Sequence, residues 1–184
     1  MASAPIRTGD EIVTSGAARK ALALLRIAVG FVFFWTFLDK TFGLGYSTSA
    51  ESAWINGGTP AQGFLNYALE EGKPLTGLFQ SISSPAADWL FMAGMLGVGL
   101  AAILGIGTRV AAVSGSAIMA MMWLAELPFW TVAAENAATN PLVDSHICYI
   151  LTLIVLALCS AGDTWGLGKW WKSLDIVQKN RWLI

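Results

Sequence analysis

ALALLRIAVGFVFFWTFLDKTF, residues Ala21 to Phe42, decides the fold class. A spanning helix needs roughly 20 mostly apolar residues. This run meets that with Arg26, Asp39 and Lys40 as its only charges. Three comparable runs follow at Trp89–Ile106, Val110–Phe129 and Leu142–Ala161. Backbone groups in lipid must be satisfied within their own segment, so runs of this kind are helices. The expected fold is all-α: a four-helix transmembrane bundle forming a single membrane domain over residues 1–184.

Composition agrees. Only 12% of the residues are charged, against about 25% in a soluble domain. The net charge of −1 implies no basic surface for nucleic acid; the surroundings expected are membrane lipid. The placement of charge says more than its total. Arg7, Arg19 and Lys20 precede the first run, Arg109 sits in the turn between the second and third, and Lys169, Lys172, Lys179 and Arg181 follow the fourth. The loop after the first run holds only Lys73, and the loop after the third holds no Lys or Arg. The positive-inside rule then places both termini in the cytoplasm and the two longer loops outside. Arg26, a turn or two into the first helix, is expected to snorkel back to the cytoplasmic interface. Met1–Lys20 is polar, and the run behind it is too long for the apolar part of a signal peptide, so the first helix is expected to be retained.

On that topology four carboxylates share the outer end: Asp39, Asp88, Glu126 and Asp144, one per helix. Ser84-Pro85 and Asn140-Pro141 read as helix starts, with a cap residue and Pro at the first helical position. Each is followed by an acid three residues after the Pro. Trp35 and Asp39, and likewise Trp123 and Glu126, stand four and three residues apart, on one helix face. The pattern fits two parallel hairpins, roughly Ala21–Gly107 and Thr108–Gly168. The plainer reading is that helix ends in general favour Trp, Pro and acids.

Lys40 is the only cation of this group apart from His146 when protonated. Four acids around so few cations are not all neutralised, so at least one is expected to have a raised pKa, which suits proton handling. The residues singled out as catalytic are Asp39, Lys40, Glu126, Asp144 and His146. Trp35, Asp88, Trp89 and Trp123 are the expected walls of a ligand site, because aromatic rings beside carboxylates suit a flat redox molecule such as a quinone. A salt-bridge network at wetted helix ends is the alternative. His146 is the only histidine, so no haem held by two histidines is expected from this chain, and no metal site is expected. As a functional residue His146 accepts a proton; as a structural one it closes a hydrogen bond near a helix start.

The remaining features read as structure. Cys148 and Cys159 lie about 16 Å apart along one helix and cannot bond to each other; buried thiols are the plain reading, with Cys148 the one placed for a redox role. Ala93, Gly97, Ala101 and Gly105 recur every fourth position and are expected to meet Ala112, Ser116 and Ala120 across the short turn; a homo-oligomer through such ridges is the less favoured reading. The first outer loop, residues 43–86, is too long for a plain connector. Thr59-Pro60 opens one short helix in it, and Leu75, Leu78, Phe79 and Ile82 form the apolar stripe of another. These are expected to cap the bundle or lie on the outer leaflet. Trp165, Trp170, Trp171 and Trp182 among lysines read as a cytoplasmic aromatic belt in segment 162–184. Gly162–Lys169 has neither the spacing nor the preceding strand of a phosphate-binding loop.

Several strings taken in order resemble the DoxX-like membrane proteins, most closely those of actinobacterial type. They are Leu25-Arg26 with Trp35-Thr-Phe-Leu-Asp39-Lys40, Ala53-Trp-Ile-Asn-Gly-Gly58, Asp88-Trp-Leu-Phe-Met92, Asn140-Pro-Leu-Val-Asp-Ser-His146 and Ala161-Gly-Asp-Thr-Trp-Gly-Leu-Gly168. The resemblance implies a four-helix bundle in the bacterial plasma membrane. It also implies kinship with the large subunit of a thiosulfate:quinone oxidoreductase, and with anchors of assemblies that handle thiol or oxidative stress. Two functions follow as expectations. One is a subunit passing electrons from thiosulfate or a thiol to quinone, with Lys40 holding an anionic group. The other is a non-catalytic accessory or scaffold subunit beside other redox or respiratory proteins.

Overall fold

The stretch quoted above forms most of one long helix. α2 runs Gly16–Phe42 in the computed structural model, which describes residues 6–68, 75–125 and 142–184. It starts earlier than the apolar run because Ser15 caps it, its hydroxyl accepting from the Ala18 N–H at 3.3 Å. The residues between, Ala17-Ala-Arg-Lys20, are strong helix formers although partly polar. Gly43 ends it at φ 65 and returns its N–H to the Asp39 carbonyl, a left-handed stop that favours glycine.

Three further long helices follow: α5 at Pro85–Leu104, α6 at Thr108–Ala125 and α7 at Ser145–Leu158. No strand occurs among the described residues. α2, α5 and α6 are long and apolar enough to cross a membrane. α7 is shorter than the expected 142–161. Its 14 residues span about 21 Å, short of a hydrocarbon core of about 30 Å. Asp144 caps its start, and at its end Ser160 turns left-handed, φ 49, into a 3-10 turn at Ala161–Asp163. The expected boundaries at 126–129 lie outside the described residues.

α2 and α5 run antiparallel and very close. A Cβ on Gly30 would lie 2.8 Å from the Ile103 nitrogen, and one on Gly99 would lie 2.7 Å from the Phe34 nitrogen. α6 packs along α7 and on α5, with Gly115 under Leu153 and Val98. Val29, Phe33, Met95, Val98, Met119 and Leu153, drawn from all four helices, form the main buried core. The small-residue ridge is therefore not where the sequence pattern put it. Ala93 and Gly97 are exposed, with nothing within 4 Å of a Cβ at Gly97. The close approach of α5 is made by Gly99 instead, toward α2, because van der Waals contact drives helix association where water cannot.

The loop after α2 holds α3 at Pro60–Ala68 and α4 at Thr76–Ile82. Leu65 and Phe79 bury against Ala125 at the end of α6, joined by Leu75 and Ile82. These helices cap the bundle end. Leu78, expected on the same stripe, faces outward at 56% exposure.

At the other end the described N-terminal and C-terminal segments meet. α1 at Gly9–Ile12 and α8 at Gly168–Ser173 pack on the Ala161–Asp163 turn, and α9 at Asp175–Lys179 packs on α8. Arg109, in the first turn of α6, donates its backbone N–H to the Ile184 carbonyl at 2.6 Å and its guanidinium to the Arg181 carbonyl at 3.0 Å.

Candidate functional site

The described acids of the expected set, Asp39, Asp88 and Asp144, sit at the α3/α4 end, but each serves its own piece of backbone. Asp39 is 1% exposed. Its carboxylate accepts from the Tyr46 N–H at 3.2 Å, the Ser47 N–H at 2.9 Å and the Ser47 hydroxyl at 2.7 Å. Trp35 packs edge-on against Tyr46, ring centroids 5.2 Å apart. Trp35 and Asp39 thus share one task, folding the chain back as it leaves α2. Asp88, also buried, accepts from the Ala61 N–H at 2.7 Å, the Gln62 N–H at 3.0 Å and the Gln62 side-chain amide. It is the N-terminal cap of α3 supplied from α5, where orphan N–H groups and the helix dipole favour an anion. The α2/α5 register carries Asp88 past Gly43, so it stands beyond the end of α2 rather than beside Asp39.

Asp144 caps its own helix, accepting from the Ile147 N–H at 3.2 Å, and lies 2.7 Å from His146 Nδ1. Burial works against its charge, but the His146 side chain and the Ile147 N–H prevail and hold the carboxyl below the usual range. Glu126 and Asn140-Pro141 lie outside the described residues. The two Pro-x-x-acid starts are therefore not equivalent: Asp88 lies inside the first turn of α5 and caps another helix, whereas Asp144 precedes α7 and caps it.

This corrects the charge argument. Asp39 and Asp88 are short of cations, yet each collects three N–H or O–H donors, and donors stabilise a carboxylate as a cation does. At least one raised acid is expected among the four; Asp144 is not that one. The tryptophans are dispersed as well. Trp89 is 68% exposed and stacks edge-on against Trp54 at 4.6 Å, while Trp123 donates from its indole to the Leu142 carbonyl at 3.0 Å.

Two cavities flank α3. An apolar cleft of about 460 Å³ lies between α3, α5 and α6, walled by Phe64, Leu65, Leu90, Phe91, Ile118 and Met122. No titratable side chain is among its described lining residues, and its hydroxyl, Ser84, already caps α5. A polar pocket of about 690 Å³ lies on the other side, with Lys40 and Glu51 among Ser47, Thr48, Thr59 and Asn56. Phe64 lines both. Lys40, of the expected set, thus faces one of these two cavities.

At the opposite end lies a cluster that sequence reasoning missed. Arg26 does not snorkel; it is 1% exposed. Its Nε donates to the Ala161 carbonyl at 3.2 Å. Nη1 donates to Ala102 and to Ile103, the latter at 2.8 Å, and Nη2 to Thr164 at 3.3 Å and Trp165 at 3.0 Å. The Ala101 carbonyl takes the Gly105 and Ile106 N–H groups, and the Leu104 carbonyl takes that of Leu167. Every orphan carbonyl in the last turn of α5 is accounted for. The glycines of the Gly162–Lys169 string make the wrap: a Cβ on Gly166 would stand 2.9 Å from Arg26 Nη2. Ser160 and Trp165, at φ 49 and 52, are the described non-glycine residues with positive φ, and both flank the wrapped carbonyls. Beside them Asp163 Oδ2 accepts from the Gly9 N–H at 2.7 Å and pairs with Lys172 at 2.8 Å, both side chains nearly buried. The available signal was an arginine in mid-run followed far along the chain by a Gly-Asp-x-x-Gly-x-Gly turn.

No family model matches the chain, and neither a curated protein nor a solved structure matches it.

Proposed function

We propose that this chain is a DoxX-like, multi-pass subunit of a bacterial plasma-membrane redox system, with both termini on the cytoplasmic side. In this reading α2, α5, α6 and α7 make a four-helix transmembrane bundle. A small anionic donor, thiosulfate or a thiolate, is held in the polar pocket, and a quinone in the apolar cleft. The observation that carries it is Phe64, one ring that lines both cavities. Lys40 supplies the cation for the donor and the polar hydroxyls supply hydrogen bonds. Phe91, Leu90 and Met122 offer apolar walls that suit a lipophilic ring. A quinone bound there supplies two-electron acceptor chemistry. The chain's own residues position the two molecules on either side of Phe64.

The test is thiosulfate-dependent reduction of a short-chain quinone by the protein isolated in mild detergent with its native companions. Lys40→Met is expected to raise the KM for the anion about tenfold or more while leaving quinone binding intact. Phe91→Trp, which fills the cleft, is expected to abolish quinone binding. Activity untouched by both variants ends this assignment.

A second reading, an accessory subunit without its own chemistry, is favoured by one observation: Asp39 and Asp88 are engaged in capping, and the apolar cleft has no described proton donor free for reduction. It predicts that partners captured in mild detergent are lost with Leu78→Glu on the exposed face of α4. Phe79 is buried, so a charge there tests folding rather than docking.

A further inference from the structure

At the termini end, a groove of about 540 Å³ opens between α6 and α7. Its floor is apolar: Val113, Ile154 and Leu158 line it, and all three are exposed, at 74%, 40% and 70%. Its rim carries Arg7, Arg109 and Arg181, and no Asp or Glu is among its described lining residues. Of the neighbouring acids, Glu11 lies near enough to Arg7 to feel its charge, and each acid also has a partner outside the groove. Glu11 accepts from the Thr8 N–H and hydroxyl, Asp10 pairs with Lys169 at 3.1 Å, and Asp163 pairs with Lys172. Arg7 and Arg109 thus stand at one edge of an apolar channel with no Asp or Glu side chain among its described lining residues.

A rim of guanidiniums wants a phosphate, which takes bidentate hydrogen bonds from them. An exposed apolar floor running along two helices wants a hydrocarbon chain. Neither a free phosphate nor an uncharged lipid satisfies both. We propose that this groove is a binding site for one anionic phospholipid. Its phosphodiester lies against Arg7 and Arg109, with Arg181 on the same rim, and an acyl chain lies along Val113, Ile154 and Leu158. Arg109 is placed for this by its backbone, which is tied to the Ile184 carbonyl, and by one guanidinium nitrogen tied to the Arg181 carbonyl. Arg7 is steadied by its bond to the Glu11 carbonyl at 3.1 Å. The site needs the helices to lie in a bilayer, and so rests on the membrane part of the preceding proposal but not on its redox part.

The experiment is native mass spectrometry of the full chain, delipidated in detergent and titrated with phosphatidylglycerol or phosphatidylcholine. One tightly held phosphatidylglycerol is expected, about tenfold or more favoured over phosphatidylcholine. Arg7→Gln with Arg109→Gln is expected to remove that preference, and Val113→Trp to lower retention by blocking the channel. Circular dichroism of each variant checks that the helices are intact. Equal retention of the two lipids, or a preference that survives the double variant, overturns the proposal. Displacement of the lipid by millimolar inorganic phosphate overturns the lipid as occupant in favour of a soluble anion. Quinone reduction is expected to be unchanged in the double variant. A failed lipid site and a failed redox reading thus give different results, and a chain that does not partition into vesicles at all fails the membrane premise before either.

Discussion

The two ends of the molecule solve one problem with opposite charges. At the α3 end, carboxylates close orphan N–H groups: Asp88 at the start of α3, and Asp39 on the chain leaving α2. At the termini end, a guanidinium closes orphan carbonyls: Arg26 at the end of α5 and on the turn after α7. Asp88 and Arg26 each sit where the helix dipole favours their charge. The difference lies in number. A carboxylate here takes three donors, whereas Arg26 serves five carbonyls from two distant segments. The lesson is that a buried charge in an apolar chain need not mark a reaction site. It also terminates backbone that lipid cannot hydrate.

The largest effect is expected at Arg26. Arg26→Met strands five carbonyls and is expected to destabilise by about 3–5 kcal/mol, read as a large fall in thermal midpoint in detergent. Arg26→Lys is expected to recover little, because an ammonium has three donors and no planar fork. A lysine variant as stable as the parent breaks the comparison. Next comes Lys172→Met, which leaves Asp163 buried without its ion pair, at about 3 kcal/mol. Limited proteolysis is expected to release the α1 segment, since Asp163 also holds the Gly9 N–H.

At the acid end the effects are smaller. Asp88→Asn keeps acceptor oxygen but loses charge, and is expected to lower stability by about 1–2 kcal/mol. Hydrogen exchange should rise at the first turn of α3 and leave α5 protected. Exchange rising along α5 instead would show that the cap serves the whole bundle. The smallest effect is in pH. The folded carboxyl of Asp144 lies below its ordinary 3.8, so its contribution is full above that value and is lost as pH falls through the folded pKa. Its side chain is 41% exposed, which screens the pair. A midpoint shift of about 1–2 °C is expected, absent in both Asp144→Asn and His146→Ala.

Much of this was legible. Ser84-Pro85 does open α5, Thr59-Pro60 does open α3, and the Leu75, Phe79 and Ile82 stripe does turn inward. These are local signals, carried by φ preference and helical period. The candidate site was legible only in part. Lys40 faces a pocket, but that Phe64 divides it from an apolar cleft depends on where α3 packs. The four acids looked like one group because sequence reports depth along each helix and not direction around it. Asp39 and Asp88 lie toward the same end of the bundle and bind different loops.

The amino-acid sequence by itself determined where the long apolar helices lie and that charge is scarce, though not that α7 stops short of a span. Composition and period act residue by residue, so they can be read without partners. Only the tertiary structure decided what each scarce charge is for. Arg26 meets Ala161 and Thr164, and Asp88 meets Ala61, through contacts far apart in the chain. An unsatisfied backbone group takes whatever partner the packing brings to it.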